Sequence, residues 1–360
     1  MTYERIQGNY IFSAINNPPF VQDQTIYYAN VENPAGGSLR PAPPNVSVSF
    51  DLASKIPTVQ NWSFGLQRKI TKNATLDVAY VGSNAYHQTR YLRLNQLPVG
   101  TVQANAGKNV NYLRPYKGYA DIMQVDTGAT FNYQSLQAQF RMNFSRGGLL
   151  NASYTRSKAI TDVYDWNTYP VDSYHPRLDR CLMDYDRPNI LIVSYIYPLP
   201  FWRDNKAWYG KAFGGWQISG VTTMESGIPV NITVNGDPAG IGYSGGQRPN
   251  VVADWKLDSS QRTTAKWFNT TAFGVPAAGT WGSLARNAMR GPGANNWDVS
   301  LQKSFPIGEK VKLQYRLEMF NAPNHLNYWS VGSTVGNANF GQVTAAWDPR
   351  VLQMALRLDF

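Results

Sequence analysis

The stretch VLQMALRLDF (351–360) alternates strictly: Leu352, Met354, Leu356, Leu358 and Phe360 are apolar, and Gln353, Ala355, Arg357 and Asp359 stand between them. A period of two marks a strand with one apolar and one polar face. Chain ends are commonly frayed and polar, yet this one finishes on an aromatic inside its most regular alternation. The pattern recurs in VQNWSFGLQRKI (59–70), SLQAQFRMNF (135–144), NWDVSLQKSF (296–305) and VKLQYRLEM (311–319). Shorter versions are TLDVAYV (75–81), LLNASYT (149–155) and GWQISGVTTM (215–224), whereas NILIVSYIY (189–197) is apolar at both parities and leaves its orientation open.

A soluble β-sandwich also alternates, but three features weigh against it. The runs are about ten residues long, enough to cross a bilayer at a tilt, where soluble strands average about five or six. Aromatics stand at strand ends (Trp62, Phe144, Trp297, Phe305 and Phe360), as in the girdles of outer-membrane barrels. The polar faces are rich in Gln, Asn, Ser and Arg, which suits a wet lumen. The alternation therefore assigns Gln137, Gln139, Arg141, Ser300, Gln302, Gln314 and Arg316 to the lumen. It assigns Leu136, Phe140, Leu301, Leu313 and Leu356 to lipid, with Leu313 at a central depth.

The connections alternate in length. ITKNAT (70–75), SRGG (145–148) and PIGEK (306–310) are tight, and PLPFWRDNKAWYGKAFGG (198–215) is longer. Irregular segments are expected over 15–56, 88–130, 160–187, 228–295 and 324–350. Such long loops are uncommon in compact soluble domains. Short periplasmic turns opposite long extracellular loops are the rule for transmembrane barrels. The expected fold is all-β: an antiparallel up-and-down transmembrane β-barrel segment of about ten strands, nine along the chain and the end of another at MTYERIQGN (1–9). The last strand of a closed barrel pairs with the first, so its backbone is satisfied to the terminus.

Composition narrows the function classes. Only 16% of the 360 residues are charged, against about 25% in an average soluble domain. Aromatics make up 13%, with 22 Tyr and 11 Trp. No stretch reaches the roughly 18 apolar residues of a spanning helix, and the first residues, MTYERIQGNY, have no signal-peptide core. The single Cys181 excludes an intramolecular disulfide and a cysteine metal cluster. His87, His175 and His325 lie far apart, matching no metal or nucleophile spacing. The net charge of +10 comes from scattered Lys and Arg, so nucleic acid is not an expected partner; a basic surface facing anionic lipid fits better. GIGYSG (240–245) fits a dinucleotide fingerprint only formally, since no strand–turn–helix pattern surrounds it. The glycosylation triplets at Asn45, Asn73 and Asn269 read as chance matches. Ser, His and Asp stand in no catalytic context, and neither an enzyme nor a cofactor is expected.

The loop 162–186 gathers Asp162, Asp165, Asp172, Asp179, Asp184 and Asp186 with Tyr164, Trp166, Tyr169 and Tyr174. Carboxylates beside aromatics suit a sugar or a calcium ion, with Asp165, Trp166, Asp172 and Tyr174 the candidate ligands; a solvated loop is the plainer alternative.

VQNWSFGLQRKITKNATLDVAYVGS (59–83), FGGWQISGVTTMESGIPVNIT (213–233), GQRPNVV (246–252), RLEMFNAPNHLNY (316–328) and PRVLQMALRLDF (349–360) together resemble the C-terminal barrel of TonB-dependent outer-membrane receptors. The type resembled is the Oar-like, carboxypeptidase-regulatory-like one common in acidobacteria. The likeness runs from about Tyr3 to Phe360, although Asp186-Arg187-Pro188-Asn189 only partly matches the family's block there. It implies that 1–360 is the C-terminal part of a barrel of about 22 strands, without plug or N-terminal domains. It implies uptake of an unidentified nutrient at the cell outer membrane. The partners it implies are outer-membrane lipid and lipopolysaccharide, the barrel-assembly machinery, and TonB through the missing plug. Leu356, Leu358 and Phe360 match the terminal assembly signal. A structural or adhesive outer-membrane barrel without transport is the second reading, and a soluble secreted β-domain the third.

Overall fold

The computed structural model describes residues 43–144, 147–162, 169–202, 207–307 and 311–360, with a few short stretches before 43. Nine long strands form its body: β1 Thr58–Thr71, β2 Ala74–Arg93, β3 Ile122–Asn143, β4 Leu149–Thr161, β5 Asn189–Pro198, β6 Gln217–Glu225, β7 Ala294–Pro306, β8 Lys312–Phe320 and β9 Val351–Asp359. Each pairs antiparallel with its neighbour in sequence, an up-and-down meander. The short strand Thr2–Tyr3 pairs with the outer edge of β1. Among the described residues no pairing joins β9 back to the start, so the sheet is open at both ends.

Register sorts the side chains into two faces. Ile218, Leu301, Leu317 and Met354 form one row across β6–β9, and Leu66, Val78, Ala138, Tyr154 and Leu191 another across β1–β5. On the opposite face Asp77, Gln139 and Ser153 align, as do Gln217, Gln302 and Arg316. The doubly apolar β5 is settled by its partners. Val193 lies between Ala152 and Thr222, and Tyr195 between Leu150 and Gly220, so Leu191, Val193 and Tyr195 join the apolar face. Leu313 is corrected in depth: as the second residue of β8 it sits at the short-turn rim.

The apolar face is bare. Phe64 is 69% exposed, Met354 69% and Leu356 70%, a contiguous apolar surface that a soluble monomer avoids. Gly82 on that face lies under the Trp62 ring of the neighbouring strand; a Cβ there would fall 2.3 Å from it. The ring covers the gap that the missing side chain leaves in the apolar surface.

The strands overrun the expected length at one end. β2 and β3 have 20 and 22 residues, so both ends of the expected irregular 88–130 segment, 88–93 and 122–130, are strand, while 94–121 between them is not. The extension is held by polar pairs, notably Arg90 with Asp126 at 2.7 Å, and by the strand Val46–Phe50 running parallel to β3. Val48, Tyr91, Met123 and Val125 form a small core there. The other long connections also pack. Ile232, Phe268, Ala272, Phe273, Leu284, Met289 and Val331 make a buried cluster over which the 228–295 and 324–350 segments close. Four two-stranded sheets knit these segments, one of them the parallel pair Thr233–Val234 and Thr334–Val335. The hydrophobic core of the described chain therefore lies in its connections, while the strands leave their apolar face outside.

Candidate functional site

The long connections meet at one end of the sheet as a cap, and buried ion pairs organise it. Arg90 bridges Asp126 and Asp162, the latter at 3.3 Å, and Asp162 also accepts from Thr130 N at 2.6 Å. Asp179 accepts from Arg248 and from Val171 N; Asp186 accepts from Arg290 and from Ala159 N. Asp184 faces Arg286 at 3.5 Å and accepts from Asn287 at 2.6 Å. Removing carboxylates from water requires partners of this kind.

Asp172 is buried and accepts from Gln96 Nε2 and Tyr174 N, both at 2.9 Å, with His175 Nδ1 also at 2.9 Å. Tyr174 donates its hydroxyl to the Gln96 carbonyl at 2.5 Å and keeps half of its surface exposed. Asp165 and Trp166 lie outside the described residues. The acidic loop is thus mostly an internal scaffold that pins the cap to the strand ends. Among the described residues no group of three or more His, Cys, Asp or Glu is disposed to hold a metal ion. The Arg partners carry no local sequence signal, because Asp179 and Arg248 are 69 residues apart and Asp186 and Arg290 104 apart.

A cavity of about 230 Å³ opens in the cap, lined among others by Arg93, Gln96, Tyr169, Asn231, Gly245 and Arg286. The Arg93 guanidinium is stacked between Tyr169 and Tyr243, 4.4 and 4.1 Å from their centroids, and Arg114 stands over the same Tyr243 ring at 4.3 Å. Tyr243 donates to Asp121 at 2.8 Å. Burial pushes its phenol well above the ordinary range, and the Asp121 carboxylate adds to the rise. Burial pushes the Cys181 thiol up to about 11, so it stays protonated and unreactive at neutral pH. The GIGYSG loop has spent its amides: Ile241 N and Gly242 N donate to the Asp237 carboxylate at 3.0 and 2.7 Å. No phosphate cradle remains. The cavity offers arginine cations, the Asn231 side chain and the Tyr169 ring to a polar guest.

The other sequence-assigned residues lie on the strands. Gln137, Gln139, Arg141, Ser300, Gln302, Gln314 and Arg316 share the polar face. Gln139 donates to Asn151 at 3.1 Å and accepts from Arg141 at 2.7 Å. Leu356 and Leu358 are on the apolar face opposite Tyr315 and Leu313, and Phe360 is almost fully exposed.

Residues 1–353 match the model of the outer membrane beta barrel domain family. No curated protein shows a matching sequence. Among solved structures, the outer membrane transporter YddB from Escherichia coli is similar over 89% of this chain at 10% identity, with a TM-score of 0.49. The chain spans 35% of that transporter's length.

Proposed function

The chain belongs to the outer membrane beta barrel domain family and resides in the outer membrane; on that premise we propose that it forms the wall and loop cap of a TonB-dependent receptor that takes up a nutrient and has no enzymatic activity. The observation carrying this reading is the cap: long connections with their own hydrophobic core and a polar cavity, at the end of the sheet opposite the short turns. A pore needs no such edifice, whereas a receptor must select its cargo outside the membrane. The apolar face meets lipid, the polar face lines the lumen, and the cap stands extracellular.

The open sheet supports a larger barrel. Hydrocarbon does not tolerate unpaired strand edges, and among the described residues β9 has a partner only on its β8 side. Further strands would close the wall, and a plug in the lumen would link it to TonB. Lipopolysaccharide around the upper wall and the assembly machinery acting on Leu356, Leu358 and Phe360 complete the proposed partners, and no cofactor takes part. The test is the reading frame upstream of the Met1 codon in the genome. The receptor reading expects earlier strands, a plug and a TonB box in frame. An in-frame stop immediately upstream, with a single short transcript, would favour a structural or adhesive barrel instead.

A further inference from the structure

One lysine stands where the alternation demands an apolar residue. Lys303 is on the apolar face of β7, opposite Tyr315 of β8, yet it is only 5% exposed. Its ammonium donates to the carbonyls of Lys211, Ala212 (2.9 Å) and Gly214, at the end of the helix Trp208–Phe213. Helix ends leave carbonyls without intrahelical partners, and a lysine is suited to cap them. The helix, carried by the β5–β6 connection, is therefore folded against the outside of the sheet. Trp216 closes one flank, its Nε1 donating to Ala212 and its ring edge-on to Tyr315 at 6.0 Å. The Phe305 ring stands 4.8 Å from the ammonium. The helix end makes the lysine tolerable on this face, and the lysine pins the helix.

The rest of the connection presents aromatics outward. Trp208 is 75% exposed, and Phe201, Trp202 and Phe213 are exposed as well. Trp202 touches both Phe201 and Phe213 at ring separations of 6.2 and 6.3 Å. The surface is continuous with the apolar strand face through Trp216 and Tyr315, and Lys211 is exposed beside it. By sequence the connection carries Arg203, Lys206 and Lys211 against one carboxylate, Asp204. Water is a poor environment for such a ring cluster, while the headgroup boundary of a bilayer suits amphipathic aromatics and cations.

We propose that the β5–β6 connection is a membrane foot: its aromatic rings enter the interface of the leaflet next to the short turns, where the exposed Lys211 meets anionic glycerophospholipid headgroups. This rests on the outer-membrane placement of the sheet. The site is on the lipid side of the wall, outside any transport path, and Lys303 is its positioning residue.

The test uses the full-length protein carrying Cys181→Ser, reconstituted in phosphatidylcholine–phosphatidylglycerol vesicles. An environment-sensitive fluorophore is attached at Trp208→Cys or, as a control, at Met354→Cys. Quenching is read with lipids brominated either near the headgroup or deep in the acyl chain. The label at 208 is expected to be quenched several-fold more by the shallow bromines, and the label at 354 by the deep ones. Adding Lys303→Met should abolish most quenching at 208 and leave that at 354 unchanged. A 208 label untouched by either lipid, beside a quenched 354 label, would overturn the foot. Loss of quenching at both sites would overturn the placement of the sheet in the bilayer, and the foot with it. Unchanged quenching at 208 in Lys303→Met would overturn the anchoring role of the lysine.

Discussion

Replacing Leu317 by Arg should cost far more than making the same change at Leu313, four residues away on the same strand and face. A strand rises about 3.4 Å per residue, and a barrel tilt of about 40° turns that into roughly 2.6 Å of depth per residue. Leu313 is one residue from the start of β8, within about 3 Å of the short-turn rim. Leu317 lies about 10 Å deeper by the same geometry. The apolar band of an outer-membrane barrel is about 25 Å tall, so Leu317 is near its middle. Its lateral neighbours are Leu301 and Met354, and no carboxylate opposes it on either side. Arginine at the midplane costs about 2–4 kcal/mol and near an interface about 0–1 kcal/mol. The assay is urea unfolding of protein purified from outer membranes and reconstituted in vesicles, read as the mobility shift of folded protein in unheated gel electrophoresis. Equal losses for Leu313→Arg and Leu317→Arg would refute the depth assignment. A negligible loss for Leu317→Arg would refute the lipid-facing assignment itself.

Three further outcomes are expected. Arg90→Met leaves Asp126 and Asp162 without their shared cation, a loss of about 3–5 kcal/mol for a broken buried pair; trypsin should then cut faster after the exposed Arg177 and Arg180, and an unchanged cleavage rate would contradict the pairing. The raised phenol of Tyr243 means that the unfolded cap loses its proton first as pH climbs. The stabilisation is complete below the ordinary tyrosine pKa of about 10 and declines above it. Hydrogen exchange in 238–248 should therefore accelerate at alkaline pH, and Tyr243→Phe should blunt that acceleration. Deleting Phe360 should reduce the outer-membrane level of the protein more than Leu136→Ala does, as a terminal aromatic that acts during assembly requires. Equal levels would reduce Phe360 to an interfacial ring.

The strands were legible because two solvents read them. Lipid on one side and water on the other impose period two, and the alternating runs from 59 onward are strands, from Thr58–Thr71 to Val351–Asp359; of the strand end expected at 1–9 only Thr2–Tyr3 lies among the described residues. Alternation fails where that contrast ends. In β5 both parities are apolar, since Ile192 and Ile196 stand on the otherwise polar face, and only pairing with β4 and β6 sorts them. Along 122–129 the inward positions include Thr127 beside Ala129, and the outward ones Asp126, whose partner Arg90 comes from another strand. The run does alternate, with Met123, Val125 and Ala129 buried and apolar, but on the parity opposite to that of 135–144 and with Thr127 among them, so it does not continue that strand's pattern. The cap was illegible for the same reason: Ile232, Phe268, Leu284 and Val331 meet only after four remote segments have folded together. The aspartates of 162–186 could be seen in the sequence, but their arginines could not. Lys303 broke the alternation visibly, and its explanation lay in a helix more than eighty residues earlier.

The central claim is that the two faces of the sheet meet different solvents. Spin labels at Leu301→Cys and Gln302→Cys, in the Cys181→Ser background and in vesicles, test it at adjacent residues. Power-saturation spectra would compare collisions with oxygen, which concentrates in hydrocarbon, and with a water-soluble nickel chelate. The account predicts an oxygen-dominated label at 301 and a nickel-dominated label at 302, with the same inversion at 317 and 316. Equal accessibility at 301 and 302, or the opposite order, would contradict it.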